Sequence, residues 1–207
     1  MKELYKRLRV TVKVQFYHFL KNRNRYINDK NFLIVASLLV GISAGLAAVI
    51  LKYLVHAFQH FCESGFDVKF ENYLYLVFPL VGIVLSALYI RLFHYKKVYD
   101  KGLSSIIYAI NKKGSNIERH KTFSHIITSA VTVGFGGSVG LEAPIAVTGS
   151  AIGANAGKDL LVTKSERTLL LAAGAAAGIA AVFNSPIAGV ILDRKSTRLN
   201  SSHITLS

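Results

Sequence analysis

Long stretches without charged side chains are the feature that most restricts how this 207-residue chain can fold. The stretches are residues 32–55, with Lys52 as the only charge, 73–90, 122–157, with Glu142 as the only charge, and 168–192. About 20 apolar residues are enough to cross a bilayer as a helix. Four such blocks in a short chain predict an all-α, polytopic membrane protein.

Composition and charge support this fold class. The chain is 52% hydrophobic and 17% charged, whereas a soluble domain carries about 25% charged residues. The net charge is +14, and residues 1–30 supply half of it, with nine Lys/Arg against two acidic residues. Basic residues concentrated beside apolar blocks are typical of the cytoplasmic flanks of membrane spans, and they argue against a nucleic-acid-binding surface.

The charged segments between the apolar blocks predict the orientation of the chain in the membrane. Residues 91–101 and 112–121 are net basic, whereas residues 61–72 are net acidic. Because basic loops stay in the cytoplasm, we expect the N-terminus inside and residues 61–72 outside. Apolar residues at every fourth position of residues 1–30 predict a basic amphipathic helix on the inner leaflet, and the alternative is a solvated basic helix with an ordinary packed face.

A glycine-rich segment interrupts the third apolar block. Residues 134–140 contain four glycines, and Pro144 suits the first turn of a new helix. The sequence predicts a helix, a break at membrane depth and a second helix that begins near Glu142. The N-terminus of that helix would offer backbone N–H groups to an anion at Gly140, Leu141, Glu142 and Ala143.

Glu142 is the candidate functional side chain of this segment. A carboxylate at an anion site competes with the anion, so protonation or rotation of Glu142 would vacate the site. The alternative is that Glu142 only stabilises the start of its helix, as acidic residues often do. The pattern indicates no catalytic residue, metal site or cofactor. His56 and His60 lack accompanying ligands, and the glycine run lacks the Gly-Lys-Ser/Thr ending of a phosphate-binding loop.

Small residues recur at every fourth position in three places. They are Gly41 and Gly45 in the first apolar block, the triplet Gly149, Gly153 and Gly157 in the third block, and Gly174 and Gly178 in the fourth block. In lipid this spacing lets helix backbones approach closely. It therefore predicts tight helix packing, and it leaves open a membrane scaffold that transports nothing.

Two motifs resemble the CLC family of chloride channels and chloride/proton antiporters. Residues 136–144, GGSVGLEAP, are similar to the signature G-x-x-x-G-x-E-G-P, with Ala143 in place of the second glycine. Residues 183–189, FNSPIAG, are similar to the later segment F-N-A-P-L-A-G. The resemblance implies transport of chloride or a similar anion such as fluoride, as a channel or in exchange for protons, by a homodimer in the membrane. It also implies that Glu142 is the gating glutamate.

The chain departs from the family pattern near the inner end of the pathway. The family motif G-S-G-I-P falls near Lys101, Gly102 and Leu103, and Lys101 stands where the serine that coordinates chloride is expected. Two interpretations remain open. Lys101, Gly102 and Leu103 form an inner anion site, or Lys101 is only another cytoplasmic positive charge.

The resemblance also predicts the domain organisation. CLC subunits resemble two inverted halves with the pathway between them. We expect residues 31–192 to form the first half and the chain by itself to be inactive. Residues 193–207 resemble an in-frame translation of a sequencing-adapter oligonucleotide, which predicts a non-native tail, and a genuine polar tail is the alternative. We expect the parent protein in a bacterial plasma membrane.

Overall fold

The structure is a computed structural model that describes residues 29–64, 71–93, 102–112, 114–119 and 121–187. Its helices are α1 (Asp29–Ser64), α2 (Glu71–Phe93), α3 (Gly102–Lys112), α4 (Lys121–Gly134), α5 (Glu142–Asp159) and α6 (Lys164–Phe183). The predicted all-α fold class is confirmed. The amphipathic helix expected in residues 1–30 and the tail expected in residues 193–207 lie outside the described residues, apart from the first two residues of α1.

Helix α1 is apolar on all sides from residue 32 to residue 51. Its buried positions, including Ala44, Ala48 and Leu51, recur every three or four residues and face the other helices. Large apolar side chains such as Leu38 and Leu46 are exposed on the opposite side. An apolar helix that exposes large side chains suits a lipid environment. By length and composition, α1 and α6 could each span a membrane, and α2 contains a shorter apolar segment, Val77–Leu92.

Helices α5 and α6 pack antiparallel at the centre of the structure. A Cβ added at Gly149 would overlap the carbonyl oxygen of Gly174, and one added at Gly174 would overlap that of Gly149. A Cβ at Gly153 would overlap the carbonyl oxygen of Leu170. The two backbones are therefore in direct contact, which confirms the close packing predicted from the glycine spacing.

The same prediction is only half right in α1. A Cβ added at Gly41 would lie 3.8 Å from the Cβ of Ala177, in ordinary van der Waals contact. A Cβ added at Gly45 would meet no atom of the described residues within 4 Å. Gly45 is thus not needed for a close approach in the part of the chain that the structure describes.

The two ends of α6 are set by different local interactions. Thr163 and Glu166 form a capping box, in which the backbone N–H of Thr163 donates to Glu166 Oε2 at 2.8 Å. At the other end Asn184 has φ 52° and ψ 32°, and Pro186 follows two residues later. The fourth apolar block, residues 168–192, is therefore not one helix. Its first helix ends at Phe183, because a left-handed residue reverses the chain there.

Candidate functional site

The predicted break in the third apolar block is present between α4 and α5. Gly136 has φ +87°, a conformation that favours glycine. Its backbone N–H donates to the carbonyl of Val133 at 2.9 Å, and the N–H of Gly137 donates to that of Thr132 at 2.9 Å. This pair of hydrogen bonds is a Schellman motif, which ends α4 and satisfies two of its last carbonyls.

Side chains from α1 and α2 cover one side of the break. The rings of Phe58 and Phe135 have centroids 5.9 Å apart. A Cβ added at Gly136 would lie 3.6 Å from Pro79 Cγ. Ser138, Val139 and Gly140, by contrast, are exposed. The break therefore contacts α1 and α2 on one side and is exposed on the other.

Helix α5 begins at Glu142, directly after this open segment. Leu141 precedes the helix with φ −85° and ψ −7°, its side chain makes no capping hydrogen bond, and its carbonyl accepts from the N–H of Ile145 at 3.1 Å. Glu142 therefore lies in the first turn, where a negative charge interacts favourably with the helix dipole. Glu142 is exposed, and Leu141 and Ala143 are half-buried.

The carboxylate of Glu142 turns back onto the backbone of Gly140. A Cβ added at Gly140 would overlap Glu142 Oε2 and would lie 3.1 Å from Glu142 Cδ. Only a residue without a side chain leaves room for the carboxylate in this position. The four predicted residues Gly140, Leu141, Glu142 and Ala143 are consecutive and lie at the start of α5; their role in anion binding stays a prediction.

The second predicted site is described only in part. Gly102 is the first residue of α3 and has φ +49°. Lys101 lies outside the described residues, and so does the side chain of Leu103. Whether these residues form an inner anion site stays a prediction.

Lys52 and Asn184 form a polar contact that the sequence analysis did not assign. Lys52 Nζ donates to the carbonyl of Ala181 at 3.2 Å and to Asn184 Oδ1 at 3.0 Å. The signal was present in the sequence, because Lys52 is the only charge in an apolar stretch, and an ionisable residue in such a stretch needs a partner. Its partners could not be read locally, since they lie 129 and 132 residues away.

Comparison with known families decides what kind of protein carries this site. A family model described as "Voltage gated chloride channel" matches residues 81–193, more than half of the chain and all of the segment from the break to the end of α6. The chain belongs to this family. Membership of the voltage-gated chloride channel family makes it an integral membrane protein.

Individual relatives agree with the family match. The chain is 28% identical over 192 residues to the chloride channel protein CLC-e of Arabidopsis thaliana, an alignment that covers 84% of this chain and 25% of that protein. It is 29% identical over 179 residues to CLC-d of the same plant, covering 75% and 22%. A bacterial relative, the ClcB-like chloride channel protein of Ralstonia nicotianae, is 30% identical over 120 residues, covering 56% and 28%.

The chain spans about a quarter of the length of these three relatives. The family match contains both motifs noted in the sequence, residues 136–144 and 183–189. Lys52 precedes the segment that the family model matches.

Proposed function

We propose that a longer protein containing this chain carries chloride or a similar small anion across a membrane, past the N-terminus of α5. The observation that carries the proposal is the position of Glu142, whose carboxylate lies against Gly140 in the first turn of a helix that starts at a break. Relatives named as chloride channel proteins support chloride as the anion.

Backbone groups at the start of α5 are the proposed anion ligands. The N–H groups at a helix N-terminus point away from the helix, and the dipole favours negative charge there, so no basic side chain is needed. The residues concerned are Gly140, Leu141, Glu142 and Ala143. Since Leu141 provides no capping side chain, an anion would meet the backbone directly.

Glu142 is the proposed gate. Its carboxylate is a negative charge in the first turn of α5, so it would compete with a permeating anion for the same positive end of the helix. Protonation removes that competition, and the side chain can then rotate away. This couples anion access to protons, whether the complete protein works as a channel or as a proton-coupled exchanger.

The open side of the break supports a location on the permeation pathway. Irregular backbone at membrane depth is tolerated where protein covers it or where it lines a water-filled cavity. Residues 138–140 are exposed in the described part of the chain. In the membrane they would therefore face water and a second half of the transporter.

The remaining elements of the proposal concern the inner end and the assembly. Gly102 begins α3, so an anion could meet backbone groups there as at α5, with Lys101 and Leu103 beside it. We further propose a cytoplasmic N-terminus, a homodimeric parent in a bacterial plasma membrane, and residues 31–192 as the first half of the transport unit. Residues 193–207 would be a non-native tail.

Anion transport is expected only from the longer protein. Proteoliposomes that contain the full-length protein should release chloride after valinomycin addition, monitored with a chloride electrode. The 207-residue chain at equal protein mass should release no more than empty liposomes, because it spans only about a quarter of the length of its relatives. Lack of efflux from the full-length protein would contradict the function, and rapid efflux from the 207-residue chain would contradict the need for further residues.

Gly140→Ala is expected to open the gate without weakening the fold. The added Cβ occupies the space of the Glu142 carboxylate, which is the flexible end of a side chain and can move away. Chloride efflux at neutral pH should therefore rise towards that of a variant without the carboxylate. The thermal unfolding midpoint should be unchanged or higher, since alanine restricts the unfolded chain by about 0.4–1 kcal/mol relative to glycine.

Gly136→Ala is the matched control for this prediction. Its backbone has φ +87°, so alanine there costs about 1–2 kcal/mol of strain without touching the carboxylate. We expect a lower unfolding midpoint and no specific gain in efflux. A Gly140→Ala protein with normal stability and wild-type efflux at every pH would show that the position of the carboxylate does not control the pathway.

A further inference from the structure

Lys52 lies in the apolar helix α1 and reaches the end of another helix. Leu51, its neighbour, is fully buried, and Lys52 itself is half-buried. Its ammonium group donates to the carbonyl of Ala181, in the last turn of α6, and to the side chain of Asn184, which ends that helix. A positive charge in an apolar segment is costly unless it is paired, so this contact determines where the ammonium group sits.

The C-terminus of α6 carries a partial negative charge. The last carbonyls of a helix carry a partial negative charge equivalent to about half an elementary charge. Asn184 adds a side-chain carbonyl to the backbone carbonyl of Ala181. Lys52 therefore offsets the charge of a group of oxygen atoms that would otherwise repel anions.

This negative end lies beside the proposed anion site. Gly149 contacts Gly174, Gly153 contacts Leu170, and a Cβ at Gly178 would lie 3.1 Å from the carbonyl oxygen of Ile145. The contacting positions thus move four residues towards the start of α5 for every four residues towards the end of α6. Continued by one turn, this register puts Glu142 level with Ala181.

The buried apolar residues also indicate that the start of α5 lies near the end of α6. Ile145 and Leu51 belong to one buried cluster, and Leu141, Ala181 and Val182 pack against it. The start of α5, the end of α6 and the middle of α1 therefore meet in one region. An anion approaching the positive end of α5 would also encounter the oxygen atoms at the end of α6.

We propose that Lys52 is a positioning residue for anion binding, whose ammonium group masks the carbonyl end of α6 and so keeps the potential beside the N-terminus of α5 positive. The proposal rests on the proposed function. Lys52 does not need to contact the anion, because it acts through the carbonyls that it covers.

Chloride binding to the full-length protein in detergent, measured by isothermal titration calorimetry, tests this role. Lys52→Gln removes the charge and keeps a hydrogen-bond donor, and we expect its dissociation constant for chloride to rise about two- to fivefold, the range of a charge at a helix end. Lys52→Arg keeps the charge and should bind within about twofold of wild type. A purely structural role would lower the unfolding midpoint of Lys52→Gln and leave its chloride affinity unchanged, which would overturn the proposal.

Lys158→Gln is the matched control, because it removes the same charge from the last turn of α5, at the opposite end of the helix pair. Its chloride affinity should equal that of wild type. An equal loss of affinity in Lys158→Gln and Lys52→Gln would mean that only net charge matters, and it would overturn the specific role of Lys52.

Asn184→Asp decides the question if Lys52→Gln does not fold. Aspartate tolerates the left-handed conformation and still accepts from Lys52, so the fold should be kept while the local positive charge is cancelled. We expect weaker chloride binding, and unchanged binding would overturn the proposal. Wild-type protein that neither binds nor transports chloride would contradict the proposed function itself. Wild-type transport together with unchanged binding in Lys52→Gln would contradict only the role of Lys52.

Discussion

Glu142→Gln in the full-length protein is expected to give an anion flux that no longer depends on pH. Glutamine has the size of a protonated glutamic acid and carries no charge, so it cannot compete with an anion at the start of α5. Wild-type flux should increase as the pH falls and Glu142 is protonated. The variant should show the high flux at all pH values, and at neutral pH this is about a two- to fivefold increase, since an exposed charge at a helix end is worth about 0.3–1 kcal/mol.

The measurement is chloride efflux from liposomes between pH 4.5 and pH 7.5. Glu166→Gln is a suitable control, because glutamine can replace glutamate in the capping box at the start of α6 and the charge removed is remote from the break. It should show the flux and the pH response of wild type. If Glu142→Gln also behaves as wild type, Glu142 is not the gate.

Gly153→Val is expected to cause the largest loss of stability. A Cβ at this position would overlap the carbonyl oxygen of Leu170, and the obstacle is backbone, which cannot move unless α5 and α6 separate. Overpacking costs about 1–3 kcal/mol and occasionally more, and a backbone obstacle puts this substitution at the upper end of that range. We expect a strongly lowered unfolding midpoint in detergent, monitored by circular dichroism, and aggregation at lower temperature.

Gly45→Val provides the comparison within the same fold. A Cβ at Gly45 meets no described atom within 4 Å, so the substitution adds an apolar side chain without a clash. Its unfolding midpoint should lie close to that of wild type, because the added Cβ displaces no described atom. Equal stability of the two variants would be incompatible with direct contact between the backbones of α5 and α6.

Local features of the sequence predict the helix break and the start of α5. Four glycines in residues 134–140 disfavour a continuous helix, and the acidic residue and proline that follow suit a first helical turn. Both effects act within a few residues, so no knowledge of the tertiary structure is needed. The Schellman motif at Gly136 follows the same rule, because glycine is the residue that adopts the left-handed conformation at a helix end.

The contacts of Lys52 could not be predicted in this way. The end of α6 has a local signal that the sequence analysis did not use, because Asn184 followed by Pro186 is typical of a helix C-terminus. The packing of Gly41 but not Gly45 depends on where α6 crosses α1. These contacts join residues that are more than 100 positions apart, so the pattern within one segment cannot predict them.

The contact between Lys52 and Ala181 has a consequence for biosynthesis. A ribosome finishes α1 long before it reaches α6, and 129 residues separate the two partners. At translation rates of about 5–20 residues per second, roughly 6–26 s pass before Ala181 is made. During that time the nascent helix must keep its lysine hydrated by extending the side chain towards the membrane surface, so final docking of α1 has to wait until α6 has been made.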